Sequence, residues 1–211
     1  MEKRQLTEAE KKRQIIFDAL CEELKQNGYA ETDLTATSKQ ANGLGILYAF
    51  LLSVPFIALF FIIHGTKITS IRYFDIGLLG LVIFVAAIWI SIVIHELIHG
   101  LVWSLSAKNH WKSIEFGIIW KSLNPYCTCS EPLKKGAYIA GLIMPGIVLG
   151  IIPTILAIII GQFYMMLFGV IFIVAAGGDL FVLGLILKHK AKPDALYFDH
   201  PTQIGLVCFE R

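Results

Sequence analysis

The chain has 211 residues, of which 56% are hydrophobic and 16% charged, and its formal net charge is +2. Soluble domains carry roughly 25% charged residues, so this composition excludes an ordinary soluble enzyme, and the lack of a basic stripe interleaved with aromatic residues excludes nucleic acid as a partner. Four cysteines, Cys21, Cys127, Cys129 and Cys208, are too few and too scattered for a secreted disulfide framework.

The first 40 residues are polar and contain no short apolar core followed by a cleavage site, so no signal peptide is expected. The first apolar run then serves as an uncleaved anchor. Residues 7 to 27 read as an amphipathic helix. Thr7 and Glu10 have capping-box spacing, Gly28 stands where a C-terminal cap belongs, and Ile16, Leu20 and Leu24 repeat beside Phe17 on one stripe. Residues 30 to 42 read as a linker.

Four apolar spans follow, at about 44–63, 74–105, 138–160 and 163–187. Each is long enough to cross a ~30 Å hydrocarbon core at ~1.5 Å per residue. Between the second and third spans, residues 113–120 (SIEFGIIW) have strand character and Asn124-Pro125 punctuates them before 126–130 (YCTCS). That pattern predicts a β-hairpin. Pro145 and Gly146, with Gly141 and Gly150, are expected to kink or pack the third helix. The fold class expected is an all-α polytopic membrane protein: four transmembrane helices, an N-terminal amphipathic helix and a small hairpin. Its parts are a cytoplasmic helix and linker at 1–42, a four-helix transmembrane domain at 43–188 and a cytoplasmic tail at 189–211.

Basic residues set the orientation. Sixteen of the eighteen Lys and Arg residues lie before residue 43, between 106 and 137, or from 188 onward, and only Lys67 and Arg72 lie elsewhere. Four crossings therefore place both termini and the hairpin on the cytoplasmic side of a cell membrane.

The second span carries His95, Glu96 and His99 in SIVIHELIHG. Positions i and i+4 share a helix face, so His95 and His99 can aim imidazole nitrogens at one metal. Glu96 lies about 100° round the helix axis, placed to act as general base without being a ligand. Two imidazoles and a carboxylate suit Zn2+. The competing reading is a polar patch that glues helices together.

A third ligand is required. Of sixteen acidic residues only Glu96 and Asp179 lie deep within the spans, with Asp75 at an edge. An aspartate at mid-membrane costs roughly 2.5–3.5 kcal/mol and needs a compensating partner. Asp179 precedes Lys188 by 9 residues, while His99 and His95 precede Ser106 by 7 and 11. In spans of the same direction all three sit at one depth, roughly 13 Å from the boundary. Small neighbours from Ala175 to Gly178 are expected to let the second and fourth helices approach closely. The alternative for Asp179 is a hydrogen bond to a nearby backbone or hydroxyl group. His64, His110 and His189 fall at span boundaries and are expected to be solvated or interfacial. His200, in Phe198-Asp199-His200-Pro201, reads as a turn residue. Cys127 and Cys129, in PYCTC, have no second Cys or His pair nearby to complete a structural zinc site.

With HELIHG on the second span and AAGGDL on the fourth, the chain resembles a family of small bacterial membrane proteins described as putative zincin peptidases, from about Gly28 through the four spans to the tail. It is also similar, distantly, to the site-2 intramembrane zinc proteases. In those an HExxH helix is joined by an aspartate from a later helix; here that aspartate stands in Gly-Gly-Asp-Leu rather than in an Asp-Gly pair. The resemblance implies peptide-bond hydrolysis with zinc on His95, His99 and Asp179 and Glu96 as base. It also implies a loose correspondence of Asn124 and Pro125 to a substrate-handling loop. The expected partners are the lipid bilayer and a membrane-associated protein or peptide substrate. The rival readings are a metal transporter or sensor, which has no need of Glu96, and a catalytically silent membrane scaffold.

Overall fold

The computed structural model describes residues 7–68, 76–119 and 124–211. Trp120, Lys121, Arg72, Phe74 and Asp75, which entered the sequence reading, lie outside them. Helix α1 spans Glu8–Gln26 and begins in the capping box that Thr7 and Glu10 encode: Glu10 N–H donates to Thr7 Oγ1, and Thr7 N–H donates to the Glu10 carboxylate. It ends at Asn27, with Gly28 following at φ +82°.

Three helical stretches are long and apolar enough to cross a membrane, Ser38–Gly65, Gly77–Ser104 and Lys135–Ile160. A fourth crossing exists if Phe163–Ala175 and Gly177–Lys188 count as one span bent by 48°. The corresponding helices are α2 (Ser38–Ile68), α3 (Gly77–Ser104), α4 (Lys135–Pro145), α5 (Ile152–Ile160), α6 (Phe163–Ala175) and α7 (Gly177–Lys188). α2 and α3 turn many large apolar residues outward, Ile62, Leu78, Leu79 and Trp89 among them. Lipid tails meet such a face at no cost, whereas water would not.

The third span is not one regular helix. Residues Gly146–Ile151 form a π-helical turn directly after Pro145, between α4 and α5. Proline removes an N–H donor and crowds the preceding turn, and the wider ladder absorbs the mismatch. The α6–α7 pair is interrupted as well, at Ala176.

The expected all-α class is corrected by the two regions read as linker and tail. Strand β1 (Ala30–Ala36) occupies the linker, and β5 (Leu196–Asp199) and β6 (Ile204–Glu210) occupy the tail. With the two-residue β4 (Leu133–Lys134) they make a four-stranded antiparallel sheet in the order β1-β6-β5-β4. β1 carries Glu31, Asp33 and Thr35 and is recruited only by pairing with the apolar β6, whose Leu206 to Phe209 are buried. α1 closes one face of this sheet through Phe17, Cys21 and Leu24 against Phe198, Val207 and Phe209.

The expected hairpin is present as a separate two-stranded sheet, β2 (Ile114–Ile119) with β3 (Asn124–Cys129). Glu131 organises the segment leading into it. Its carboxylate accepts the N–H groups of Lys108 (2.6 Å) and Asn109 (3.2 Å), the Asn109 amide and the Ser113 hydroxyl (2.8 Å).

Candidate metal centre

α3 is an unbroken helix through the HELIH segment, so the i, i+4 spacing delivers its geometry: the His95 and His99 rings lie 4.9 Å apart, both residues buried. Asp179, in the first turn of α7 just beyond the break, turns its carboxylate onto both. Its Oδ2 is 3.3 Å from His95 Nε2 and its Oδ1 3.5 Å from His99 Nε2. The three donors form one group within 4.8 Å of one another.

The hydrogen-bond bookkeeping shows what such a group needs. His99 Nδ1 lies 2.9 Å from the Gly141 carbonyl, and a carbonyl only accepts, so Nδ1 carries the proton. The space between His99 Nε2 and the Asp179 oxygens then calls for positive charge, supplied by a second ring proton or by a metal ion. A tetrahedral zinc with ~2.0–2.2 Å bonds holds neighbouring nitrogen and oxygen donors roughly 3.4 Å apart, close to the two spacings observed. Donor types, spacing and the Nδ1 anchor on Gly141 all fit zinc. His95 Nδ1, by contrast, is buried without a hydrogen-bond partner among the described residues.

Behind these three side chains stands a layer that sequence reasoning missed. Trp103, one turn after His99, stacks on its ring at 5.2 Å and 20°. The indole N–H donates to the Tyr138 carbonyl at 3.1 Å, and a Cβ at Gly141 would collide with the indole. Tyr138 Oη donates to Asp199 on β5, which also accepts from Thr128 of β3 at 2.8 Å. Burial pushes the Asp199 carboxyl up despite those two donors. A continuous line of contacts thus joins His99 to the tail sheet.

The small residues before Asp179 do not pack on α3, as the sequence reading expected. Gly177 lies against Gly45 of α2, where a Cβ on Gly45 would stand 2.6 Å from the Gly177 carbonyl oxygen, and Ala176 faces Gly146 of the π turn. The closeness of α3 and Asp179 therefore comes from the break and from α2 and α4.

Glu96 is half-buried and faces the hairpin, receiving a hydrogen bond from the Cys127 N–H. Strand phasing explains why that N–H is free. Ser130 N–H bonds Ser113 O at 2.7 Å, and pairs alternate along an antiparallel ladder. Phe116↔Cys127 is therefore a non-hydrogen-bonded pair, and the Cys127 amide points away from β2. The hairpin reaches α3 at Gly100, where a Cβ would stand 2.6 Å from Phe116 Cζ. Asn124 and Pro125 lie at the opposite end of β3, paired with Ile119 and Ile118.

The other histidines divide. His64, expected at a solvated boundary, is buried instead, with Nε2 2.7 Å from the Ile158 carbonyl. The reason is that α2 continues past the expected end of the span, to Ile68. His110 is exposed, and His200 Nδ1 accepts the N–H groups of Thr202 and Gln203 in a turn.

The model of a protein family described as "putative zincin peptidase" matches residues 88–193, from the middle of α3 to just past α7. The chain belongs to this family. That match covers the two histidines, Glu96, the hairpin and Asp179, so the zincin peptidase segment coincides with the centre just described. No curated protein and no solved structure matches the chain.

Proposed function

We propose that the chain is a multi-pass membrane zinc metallopeptidase that hydrolyses peptide bonds in membrane-associated segments, with both termini and the hairpin in the cytoplasm. One observation carries the reading: two histidines and an aspartate converge inside apolar helices, with a glutamate next to His95 that stands outside their three-donor group. His95, His99 and Asp179 would hold the metal. Zinc, when bound, supplies Lewis acidity that polarises a carbonyl and lowers the pKa of water. Glu96 takes the proton of the attacking water at its carboxylate and returns it to the departing amine. The Cys127 N–H and the hairpin fix that carboxylate and limit its access to water.

An extended substrate adds along the outer edge of β3, where backbone groups point away from β2, and Asn124 and Pro125 mark the far end of that edge. An apolar cavity of about 190 Å³ lies against Asp179, lined by Leu52, Leu142, Ile147 and Leu180 among others. It accepts an apolar side chain of a membrane segment.

The break at Ala176 also favours a second reading, since transporters place ion sites at interrupted helices. Glu96 separates the two, because transport has no use for a base. The test is zinc content of the detergent-purified protein together with the new N-termini that appear in membranes of cells expressing it. Wild type should hold zinc and generate cleavage products. Glu96→Ala should keep the zinc and lose the products, a drop of about 10²–10⁴-fold for a general base. Zinc-dependent uptake into vesicles that survives Glu96→Ala would establish the transporter instead, and a wild type that takes up no zinc would end both readings.

A further inference from the structure

A second group of metal-ligand side chains lies outside the centre above: His189, just after the end of α7, with Cys208 and Glu210 on β6. Cys208 and Glu210 are two apart on a strand and so share a face. The three donor atoms lie within 4.8 Å of one another, the same bound that holds for the first centre. His189 Nε2 and Glu210 Oε1 are 3.5 Å apart, which repeats the His99–Asp179 spacing. His189 Nε2 is buried and makes no hydrogen bond among the described residues, so its one charged neighbour is the Glu210 carboxylate at 3.5 Å, an arrangement that a cation between the two would complete.

The surroundings suit a coordinated thiolate. The Tyr197 hydroxyl is buried and lies beside the Cys208 sulfur, its cross-strand partner, where it can donate to a thiolate. The Lys192 N–H donates to Glu210 Oε1 at 2.9 Å and orients that carboxylate. Outer partners of this kind fix ligands in metal sites. His189 also stands at the negative end of the α7 dipole, where a cation is favoured.

We propose that His189, Cys208 and Glu210 form a second metal site for a thiophilic divalent cation of the zinc class, clamping the end of α7 to the last strand. One imidazole, one thiolate and one carboxylate fit zinc better than calcium or magnesium, which prefer oxygen alone. A tetrahedral zinc spaces these donors by roughly 3.4–3.6 Å, so closure needs movements of about an ångström at most. Binding displaces the Cys208 thiol proton to solvent. Asp179 lies ten residues earlier on the same helix, about 15 Å away. The clamp therefore holds the helix that delivers the third ligand of the first centre without touching it.

The experiment is zinc stoichiometry of the full-length detergent-purified chain, stripped with chelator and reloaded with Zn2+. Wild type should bind two zinc ions and the His95→Ala/His99→Ala double variant one. Adding Cys208→Ser or His189→Ala to that double variant should leave none. His189 is part-exposed and its replacement spares the core, so it carries the test if Cys208→Ser misfolds. Reloading the double variant with Co2+ should give a thiolate-to-cobalt charge-transfer band that His189→Ala weakens and Cys208→Ser abolishes. A folded double variant that binds no zinc and shows no such band overturns the proposal and leaves the first centre standing. A single zinc that survives the double variant and is lost with His189→Ala supports the clamp while sinking the peptidase reading.

Discussion

α3 and the broken α6–α7 span contribute to the same centre by opposite means. α3 is regular through its ligands, and His95 and His99 meet because four residues of helix always bring side chains onto one face. Asp179 arrives on a backbone that bends by 48°, held by a glycine crossing with α2 and by Ala176 against the π turn. Local geometry suffices for two ligands, whereas the third depends on packing between helices. The two regions should therefore fail differently.

Removing donors gives the largest effect. Asp179→Ala and His99→Ala should each abolish zinc retention at the first centre, read as loss of one zinc per chain, because two remaining ligands do not hold the ion. Next comes the crossing that aims Asp179. Gly45→Leu forces side-chain atoms into the Gly177 carbonyl, which is backbone and cannot swing aside. Overpacking of this kind costs about 1–3 kcal/mol, so zinc affinity should fall roughly 5- to 150-fold. A side-chain enlargement on the outward face of α3, Leu97→Phe, should leave affinity within twofold. Equal losses from both would mean that α3 and α7 are not positioned separately.

An effect of similar size tests the layer behind His99. Gly141→Ala drives a methyl group into the Trp103 indole and disturbs the carbonyl that anchors His99 Nδ1. Loss of such a partner typically costs about 10–100-fold in metal affinity. Metal titration should show the loss, and because Trp103 is tied through Tyr138 to Asp199 and shares a buried cluster with Tyr197 and Leu206, the tail sheet should lose stability with it.

The same contrast explains what was legible in the sequence. His95, Glu96, His99 and Asp179 stand out because ionisable residues inside apolar runs are rare and costly, and equal depth brought the aspartate level with the histidines. The hairpin was legible from its strand-rich segments, although Asn124-Pro125, read as punctuation between them, opens β3 instead, and α1 was legible from its capping box. The four-stranded sheet was not. β1 is a polar edge strand with no alternation of its own, and β6 reads as a short apolar tail until its partners, far apart in sequence, are in place. The irregularity of the third span was legible from Pro145 and Gly146, where the π turn follows, but the break after α6 was not, since Gly177 announces small volume but not which helix fills the space. Gly177 meets α2, a contact that depends on the whole bundle. His64 misled for a related reason, because span length alone does not show that a helix continues beyond the apolar run.

The smallest expected effect lies outside the membrane-spanning helices, at Glu131. Burial pushes its carboxyl up, but hydrogen bonds from Ser113, Asn109 and the Lys108 N–H outweigh it, and the net direction is down from the usual 4.5. A carboxylate lowered in the folded state contributes stability that is present above its unfolded pKa and lost as pH falls through the folded one. The 108–113 segment that leads into the hairpin should therefore loosen as pH drops below about 4.5, which hydrogen exchange of residues 108–119 would detect. Glu131→Gln should bring the same loosening at pH 7, for a cost of about 1 kcal/mol, and should remove its acid dependence. Because the hairpin edge supplies the Cys127 N–H to Glu96 while the zinc ligands lie on α3 and α7, this variant should lower peptidase turnover by a few-fold with zinc content unchanged. A loss of zinc in Glu131→Gln would show that the hairpin supports the ligands as well as the base, and the separation drawn between local and packed contributions would have to include a third region.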